Sequence, residues 1–456
     1  MTKNYYAIKL LSVLAAFILL LVLSAFILTS CSTNNDEDTI EICEDTPPHA
    51  YMLGDFPTLR ITTPESPFLD RNTWQNGQIS VTDAAQPFLF NNAEVRVRGR
   101  GNSTWRFGYQ KKPLRFRFPE ARYMLDSATP HRDWVLISNH FDRGLLRNYV
   151  ALNLGATMEN ILWTPYTRMV HLYVNNEYMG VYQLADERTA EPGRANLTFN
   201  ENPALSDFFI ELDWHSHNNR DLEPGVDYFV VGPRAYDLRW PNEDDWNGHL
   251  EYAEDYITRV SAAITSQDWD AITALIDVPS FVDFYIVQEL MKNVDVGWFS
   301  VFMTIQGQGQ YRRLYMGPLW DFDQSAGISD NQVIYAARSP YPVYSPYGLL
   351  AGEYNYWFRY LLGTPQFFAA VTERWNEIKD NQIADVIALV RYMADTYNHA
   401  FQRNFVRHPI FTYQPSWFWV NPVHVQEIEN FDGQVDYLID FLTARVGWLD
   451  SFFNRH

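Results

Sequence analysis

Alternating apolar and polar positions are concentrated in the first half of the chain and predict β-strands there. Residues 94–98 read Glu-Val-Arg-Val-Arg, and Leu114, Phe116 and Phe118 alternate with two arginines. Such alternation is typical of a strand with one buried face. The same reasoning predicts strands at residues 59–62, 78–81, 170–174, 177–184 and 208–212. Asn175-Asn176 separates two of these strands and indicates a hairpin, because Asn tolerates the positive φ of such turns.

Helical periodicity dominates the second half of the chain. Residues 251–265, 279–292 and most of 367–453 fit it, and an earlier helix is predicted from Phe141 to Met158. One hairpin interrupts the later helices, with strands at 301–306 and 312–316. A β-rich first part followed by a mainly helical part predicts an α+β fold of two lobes.

The N-terminus has the pattern of a bacterial export signal. Lys3 and Lys9 precede or flank an apolar run from Leu10 to Leu28, which ends at Leu28-Thr29-Ser30-Cys31. This pattern predicts a lipoprotein signal peptide over residues 1–30, with lipid attachment at Cys31. A transmembrane anchor is the alternative, because the run approaches the ~20 residues that span a bilayer. Either reading places the rest of the chain in the cell envelope, at the periplasmic face or the cell surface.

Residues 31–50 are polar and acidic, and they predict a flexible tether, because such a stretch cannot bury enough apolar surface to offset its ordering entropy. The remaining residues, 51–456, form the predicted globular part. If Cys31 is acylated, Cys43 is the only thiol left, which excludes an intramolecular disulfide. The net charge of −20 argues against nucleic-acid binding, which depends on Lys and Arg neutralising phosphates. A single nucleotide needs only a few cations, so this charge does not exclude one.

The most informative polar residues flank the predicted hairpin of residues 301–316. Asp295 precedes it, and Asp321 and Asp323 follow it within Trp-Asp-Phe-Asp. Two acids one residue apart after a strand suit Mg²⁺, which takes one or two carboxylates and leaves other positions to water and phosphates. The order helix, Asp loop, two strands and Asp-Phe-x is also that of a kinase. The alternative is a turn with capping aspartates.

A second candidate region is Arg98-Gly99-Arg100-Gly101-Asn102, followed by Lys111-Lys112. Glycines let the backbone approach a phosphate, and consecutive amides can bind an anion. The alternative is an ordinary tight turn. Two further polar stretches are residues 142–148, which also read as a helix start with surface charges, and Tyr182 to Glu187 with Glu211 and Asp213.

Taken together, these motifs resemble the CotH kinase family (spore coat protein H-like), here with a lipoprotein signal. The matching motifs occur in order between about residues 94 and 327. They are Arg98-Gly99-x-Gly101-Asn102-Ser103-Thr104-Trp105 with Lys111-Lys112-Pro113, Trp134-Val-Leu with Asp142 and Arg147-Asn148, Tyr173-Val-Asn175-x-Glu177-Tyr178-x-Gly180-Val-Tyr182, and Gly317-Pro-Leu-Trp320-Asp321-Phe-Asp323 with Gly327.

The resemblance implies an atypical protein-kinase-like fold, with an N-lobe over about 51–190 and a C-lobe over about 191–456. It implies transfer of phosphate from ATP, with Mg²⁺ or Mn²⁺, to Ser of secreted or surface proteins. The implied roles are catalysis for Asp295, metal binding for Asp321 and Asp323, and nucleotide binding for Lys111, Lys112, Arg98 and Glu187.

Several departures from ordinary kinases leave alternatives open. Asp-Phe-Asp replaces Asp-Phe-Gly, no His-Arg precedes Asp295, and Ser300 stands where a kinase has its second metal-binding Asn. An inactive scaffold or binding protein of the envelope is therefore one alternative. A hydrolase that uses paired carboxylates is another. Asp213-Trp-His215-Ser-His217 also suggests a transition-metal site, because alternate residues of a strand share one face.

Overall fold

Seven strands close into a barrel in the computed structural model, which describes residues 54–68, 70–106, 110–219, 222–242, 244, 246–330, 340–411 and 421–455. The predicted signal peptide, Cys31 and the tether lie outside these residues. The barrel strands are β1 (Thr58–Thr62), β2 (Gln75–Thr82), β3 (Phe90–Gly99), β4 (Leu114–Arg122), β5 (His131–Ile137), β6 (Thr167–Val174) and β7 (Glu177–Asp186). Their order is β1-β2-β3-β4-β5-β7-β6, and β6 closes the barrel by pairing in parallel with β1.

The predicted alternation in β3 and β4 is confirmed. Val95, Val97, Leu114 and Phe116 are buried inside the barrel, because an apolar side chain gains most by leaving water. The arginines between them point outward, and the antiparallel register pairs Arg98 with Arg115 and Arg96 with Arg117. The turn between β6 and β7 also has the predicted geometry, since Asn175 and Asn176 have φ of 50° and 65°.

A second, five-stranded sheet has the order β12-β11-β8-β10-β9. Its strands are β8 (Phe208–Leu212), β9 (Phe229–Val231), β10 (Arg234–Trp240), β11 (Val301–Gln306) and β12 (Arg313–Met316). The hairpin β11–β12 is confirmed, whereas no prediction covers β9 and β10. Val135 and Ala185 on the outer face of the barrel pack against Phe209, Phe302 and Trp320, so this small apolar cluster joins the barrel to the second sheet.

The helices cover the second sheet and fill most of the C-terminal part. They are α1 (Ser103–Arg106), α2 (Arg147–Ala156), α3 (Trp214–Asn218), α4 (His249–Ser266), α5 (Trp269–Leu275), α6 (Val278–Met291), α7 (Ala351–Tyr354), α8 (Tyr356–Leu361), α9 (Pro365–Ile378), α10 (Ala384–Thr396), α11 (Asn398–Arg407), α12 (Val423–Gln426) and α13 (Phe431–Phe453). Two 3₁₀ turns (Val294–Gly297 and Gly309–Tyr311) and a π turn (Lys379–Ile383) complete the elements. Within the described residues, no helix is long and apolar enough to cross a membrane.

The helix predicted from Phe141 begins later, at Arg147. The carboxylate of Asp142 accepts hydrogen bonds from the amides of Gly144 and Arg147, and Leu145 has a φ of 57°. An aspartate that bonds nearby amides in this way offers the chain a turn in place of a helix. The α+β class, with a β-rich N-terminal part and a helical C-terminal part, is confirmed, and the two-lobed kinase-like arrangement stays a prediction.

Candidate active site

A cavity of about 1280 Å³ is lined by the outer face of the barrel and by one face of the second sheet. It brings together acids and arginines that are far apart in the chain. Its charged lining residues are Arg71, Arg98, Arg100, Arg115, Arg188, Arg239, Glu187, Glu211, Asp213, Asp295, Asp321 and Asp323. The three aspartates predicted to do chemistry therefore share one cavity.

Asp295 and the Asp321 segment are held against each other by one side chain. Asp295 lies on the 3₁₀ turn that follows α6, and Asp321 follows β12. The carboxamide oxygen of Asn293 accepts from the amide of Asp295 at 3.2 Å, and its nitrogen donates to the Asp321 carbonyl at 3.1 Å. Asn293 thus links the two acidic segments across the β11–β12 hairpin.

The three aspartates are electrostatically unfavourable to one another. Burial, followed by the charges of Asp321 and Asp323, raises the pKa of Asp295 well above its usual range. Burial and Asp321 do the same to the pKa of Asp323. A cation bound among these carboxylates removes the repulsion, so the electrostatics of the site suit a positive ligand.

The donor set matches a hard divalent cation that keeps water and phosphate ligands. Asp321 and Asp323 supply carboxylates, and the hydroxyl of Ser300 donates to Asp321 Oδ2 at 3.1 Å. Within the described residues, no group of three or more His, Cys, Asp or Glu side chains could hold a metal ion. Two carboxylates with open positions are what Mg²⁺ uses beside a nucleotide, because it keeps waters and takes phosphate oxygens.

A chain of side-chain amides fixes the Asp321–Asp323 segment to the barrel. Asn148 accepts from the amide of Phe322 at 2.7 Å and donates to Asn139 at 2.8 Å. Asn139 in turn donates to Gln183 of β7 at 2.8 Å. Asn148 belongs to one of the quoted motifs, and the structure gives it a positioning role that the sequence did not reveal.

A buried ion pair holds the residues that follow Asp323. Arg147 donates to Asp142 Oδ1 at 2.6 Å and to the carbonyls of Ser325 and Ala326 at 3.0 and 3.1 Å. Both charged side chains are 0% exposed. The alternative reading of residues 142–148 as ordinary surface charges is therefore wrong, because the pair satisfies backbone carbonyls in the interior.

The glycine loop after β3 forms a turn in which the first two amides are already bonded within the protein. The amide of Gly99 donates to the Asp70 carbonyl, and that of Arg100 donates to the Pro113 carbonyl. A Cβ at Gly99 would lie 2.0 Å from the ring of Trp105, and Gly101 has a φ of +93°. These glycines are thus required by packing and backbone conformation. The predicted amide nest is not present at Gly99 and Arg100.

The two lysines predicted to hold phosphates do not line the cavity. Lys111 is buried and donates to the Val181 carbonyl at 2.5 Å. Lys112 lies over the ring of Trp105 at 4.4 Å. Both lysines precede β4, so they lie outside the alternation of inward and outward side chains that places Arg115 on the outer face. That pattern therefore does not predict where the lysine side chains point. In this structure, arginine side chains supply the positive charge of the cavity.

Burial of Lys111 gives a testable pH dependence. Burial lowers its pKa to about 7, below the unfolded value. The unfolded state therefore binds more protons between that pKa and about 10.4, and stability must rise with pH across this window. We expect Lys111→Met to remove this rise, which reaches up to about 1.4 kcal/mol per pH unit. Urea unfolding of the parent and the variant from pH 7 to pH 10 measures the difference. Lys112→Met is the control, and equal slopes in the parent and in Lys111→Met contradict the prediction.

Glu187 lines the cavity and is surrounded by arginines. Burial works to raise its pKa, but the charges of Arg188, Arg115 and Arg100 outweigh burial and lower the pKa to about 2. Its carboxylate lies 3.5 Å from Arg115 and 3.4 Å from Arg188. Glu187 is therefore a carboxylate that stays negatively charged and holds the side chains of Arg115 and Arg188 in place at the cavity wall.

Trp320 lies between two of the cavity arginines. The guanidinium carbons of Arg100 and Arg188 are 5.4 and 4.5 Å from its ring centroid, and Arg188 also lies 4.7 Å from the ring of Phe302. Aromatic faces attract guanidinium groups and keep them in place. No role was predicted for Arg100 or Arg188 from the sequence. Trp320, directly before Asp321, was the sequence feature that could have indicated a partner for an arginine at this site.

The run Asp213-Trp-His215-Ser-His217 does not form the predicted strand. Asp213 caps helix α3 and accepts from the amide of His215 at 2.9 Å, so the two histidines do not share one strand face. His215 lines the cavity and pairs with Asp213 at 2.7 Å. Burial works to lower the pKa of His215, but this hydrogen bond and the charges of Asp213, Asp321 and Glu211 together outweigh it and raise the pKa. Asp213 and His215 thus belong to the cavity wall, and the described part of the chain holds no group of three or more His, Cys, Asp or Glu side chains that could bind a metal ion there.

Comparison with known proteins supports one assignment. A search among curated proteins finds no match to the chain. A family model described as CotH kinase protein matches residues 95–449, which include every charged residue that lines the cavity except Arg71. Because this match spans more than half of the 456 residues, the chain belongs to the CotH kinase family.

Proposed function

We propose that the protein is a metal-dependent atypical kinase that transfers phosphate from ATP to Ser of secreted or surface proteins. Membership of the CotH kinase family implies a kinase-like function and the use of ATP. The observation that carries the proposal is a cavity that combines six acids, among them Asp295, Asp321 and Asp323, with six arginines. Anionic phosphates and a cation together are the ligand that balances such a lining.

The arginines support a phosphate ligand over a neutral sugar. Arg100 interacts electrostatically with Asp321 and lies beside Trp320. A guanidinium next to a carboxylate pair suits a phosphate that bridges to a metal ion, because the guanidinium matches phosphate oxygens in geometry and charge. A hydrolase acting on neutral glycans has no use for six arginines in its cavity, so the hydrolase alternative is less well supported.

The roles proposed for the chain's own residues follow from their positions. Asp321 and Asp323 would hold Mg²⁺ or Mn²⁺, which supplies positive charge to the phosphate oxygens when bound. Asp295 accepts the proton of the Ser hydroxyl as its oxygen bonds to the γ-phosphorus and the bond to the bridging oxygen breaks. Arg100 and Arg188 neutralise phosphate oxygens.

The cellular context is part of the same proposal. A lipid anchor at Cys31 would hold the kinase in the cell envelope, at the periplasmic face or the cell surface, and give it access to exported proteins. No nucleic-acid partner is proposed, because the net charge of −20 opposes one. The residues of this anchor lie outside the described part of the chain.

Thermal stability with nucleotide and metal tests the proposal. A ligand that binds only the native state raises the melting temperature by mass action. We expect ATP with Mg²⁺ or Mn²⁺ to raise the melting temperature of residues 50–456, and Asp323→Ala to abolish the rise. Asp385→Ala is the matched control, because Asp385 is an exposed acid on α10. The absence of any shift in the parent overturns the kinase function and favours the inactive-scaffold alternative.

A further inference from the structure

Four arginines form a two-by-two array on the outer face of the barrel. Arg98 is paired with Arg115, and Arg96 with Arg117, across the β3–β4 register. All four guanidinium groups surround the ring of Trp74, at 4.9, 5.8, 5.4 and 5.4 Å from its centroid in that order. We call these four residues with Trp74 the arginine array. An indole at the centre allows four like charges to lie close together.

The charge of the arginine array is only partly balanced. Asp133 accepts from both Arg115 and Arg117, at 2.7 and 2.8 Å, and Glu187 lies 3.5 Å from Arg115, so these two carboxylates serve only two of the four guanidinium groups. Among the described residues, no carboxylate lies within ion-pair distance of Arg96 or Arg98. The Nε atom of Arg98 is buried and has no hydrogen-bond partner in the same part of the chain. A buried donor of this kind is costly unless a ligand satisfies it.

The arginine array leads out of the cavity. Arg98 and Arg115 line the cavity, whereas Arg96 and Arg117 do not. Arg96, which lies two residues before Arg98 on β3, is exposed to solvent. The array therefore runs from the cavity, where the aspartates lie, onto the open surface of the barrel.

We propose that the arginine array is a docking surface for an acidic segment of the protein substrate, next to the Ser that enters the cavity. This inference rests on the proposed kinase function and names its substrate class. The two rows of guanidinium groups are two strand residues apart, about 7 Å at a rise of ~3.4 Å per residue. An extended peptide repeats its side chains at the same interval. Acids at alternate positions of the substrate therefore match the array.

A role in holding the nucleotide explains the array less well. Phosphates that share a metal ion with Asp321 and Asp323 lie near Arg100, which interacts with Asp321. Arg96 and Arg117 lie outside the cavity that holds these aspartates. The chain as a whole carries a charge of −20, which repels acidic proteins in general. A local basic surface at the cavity thus selects both the site and the orientation of an acidic segment.

Binding of a labelled peptide, without nucleotide, tests the proposal on residues 50–456. The peptide carries Glu at alternate positions beside a central Ser, and its comparison peptide carries Gln instead. We expect the Glu peptide to bind in fluorescence anisotropy and to weaken as salt rises. Arg96→Glu should weaken this binding about tenfold, because it reverses one charge of the array. The side chain of Arg96 is exposed and lies over the ring of Trp74, so we expect this variant to keep the fold.

Arg259→Glu is the matched control, because Arg259 is an exposed arginine on α4 with one helical ion pair. Equal binding by Arg96→Glu and the parent, or equal binding of the Glu and Gln peptides, overturns the proposal. The ATP-induced rise in melting temperature is measured on the same variants. If Arg96→Glu loses the ATP-induced rise in melting temperature while peptide binding is unchanged, the array binds the nucleotide. This result also overturns the docking proposal. If ATP does not raise the melting temperature of the parent but peptide binding still depends on Arg96, the kinase function is overturned and the array is retained as a docking surface for an acidic segment.

Discussion

Replacing Asp295 by Asn is expected to lower kcat for phosphate transfer by about 10²- to 10⁴-fold, the usual contribution of a positioned general base. Asn keeps the size of the side chain and removes its ability to take the proton of the acceptor hydroxyl. Asp321 and Asp323, the proposed metal ligands, remain, so the KM for ATP and the ATP-induced rise in melting temperature should stay close to those of the parent. Phosphate transfer to a Ser-containing acceptor measures kcat, and a thermal shift measures nucleotide binding.

The same substitution should also stabilise the protein in the absence of metal. Asp295 is only 7% exposed and faces the like charges of Asp321 and Asp323. A neutral Asn removes that repulsion, and active-site residues often cost stability in this way. Asp385→Asn is the control for the loss of an acid elsewhere. An unchanged kcat in Asp295→Asn would show that another group accepts the proton.

Replacing Arg147 by Met is expected to destabilise the protein by about 3–5 kcal/mol, because it leaves the buried charge of Asp142 without its partner. Both side chains are 0% exposed, and Arg147 also satisfies the carbonyls of Ser325 and Ala326. The segment that follows Asp323 loses its anchor, so ATP binding should weaken in the fraction that remains folded. Urea unfolding measures the loss of stability.

A double substitution separates the buried charge from lost packing. Asp142→Asn with Arg147→Met removes both charges, and it should recover part of the stability lost in the single variant, since apolar or neutral replacement of a buried pair is often tolerated. The coupling energy between the two positions follows from the double-mutant cycle. Strict additivity of the two single changes would contradict an ion pair that acts as a unit.

Much of the fold could be predicted from local patterns. Strict alternation placed β3 and β4, and it predicted which of their side chains are buried. Two consecutive asparagines predicted the hairpin between β6 and β7, because few other residues tolerate positive φ there. The strands β9 and β10 were missed. The start of α2 was misplaced because hydrogen bonds to the Asp142 carboxylate convert the predicted first turns of the helix into a loop.

The candidate site was predicted in part. Asp295, Asp321 and Asp323 were singled out because acids flanked an apolar hairpin, and the structure brings all three into one cavity. Arg98 and Glu187 also line it, whereas Lys111 and Lys112 do not. Arg100, Arg188 and Arg239 were overlooked, because their neighbours in the sequence do not distinguish an arginine that faces a cavity from one that faces solvent, and Trp320, which packs against Arg100 and Arg188, is distant from both in the chain.

The sequence by itself determined the order of elements, the inward and outward faces of the barrel strands, and the acids that surround the β11–β12 hairpin. These features depend on periodicity and on residue type, which act over a few neighbouring positions. Only the tertiary structure decided which charges meet. The barrel closes and packs against the second sheet, and this places Arg98, Glu187 and Asp321 around one cavity. Arg98 and Asp321 are 223 positions apart in the chain. Burial then turned Lys111 into an interior hydrogen-bond donor and Asp142 with Arg147 into an internal clamp, because solvation depends on the whole fold and not on local sequence.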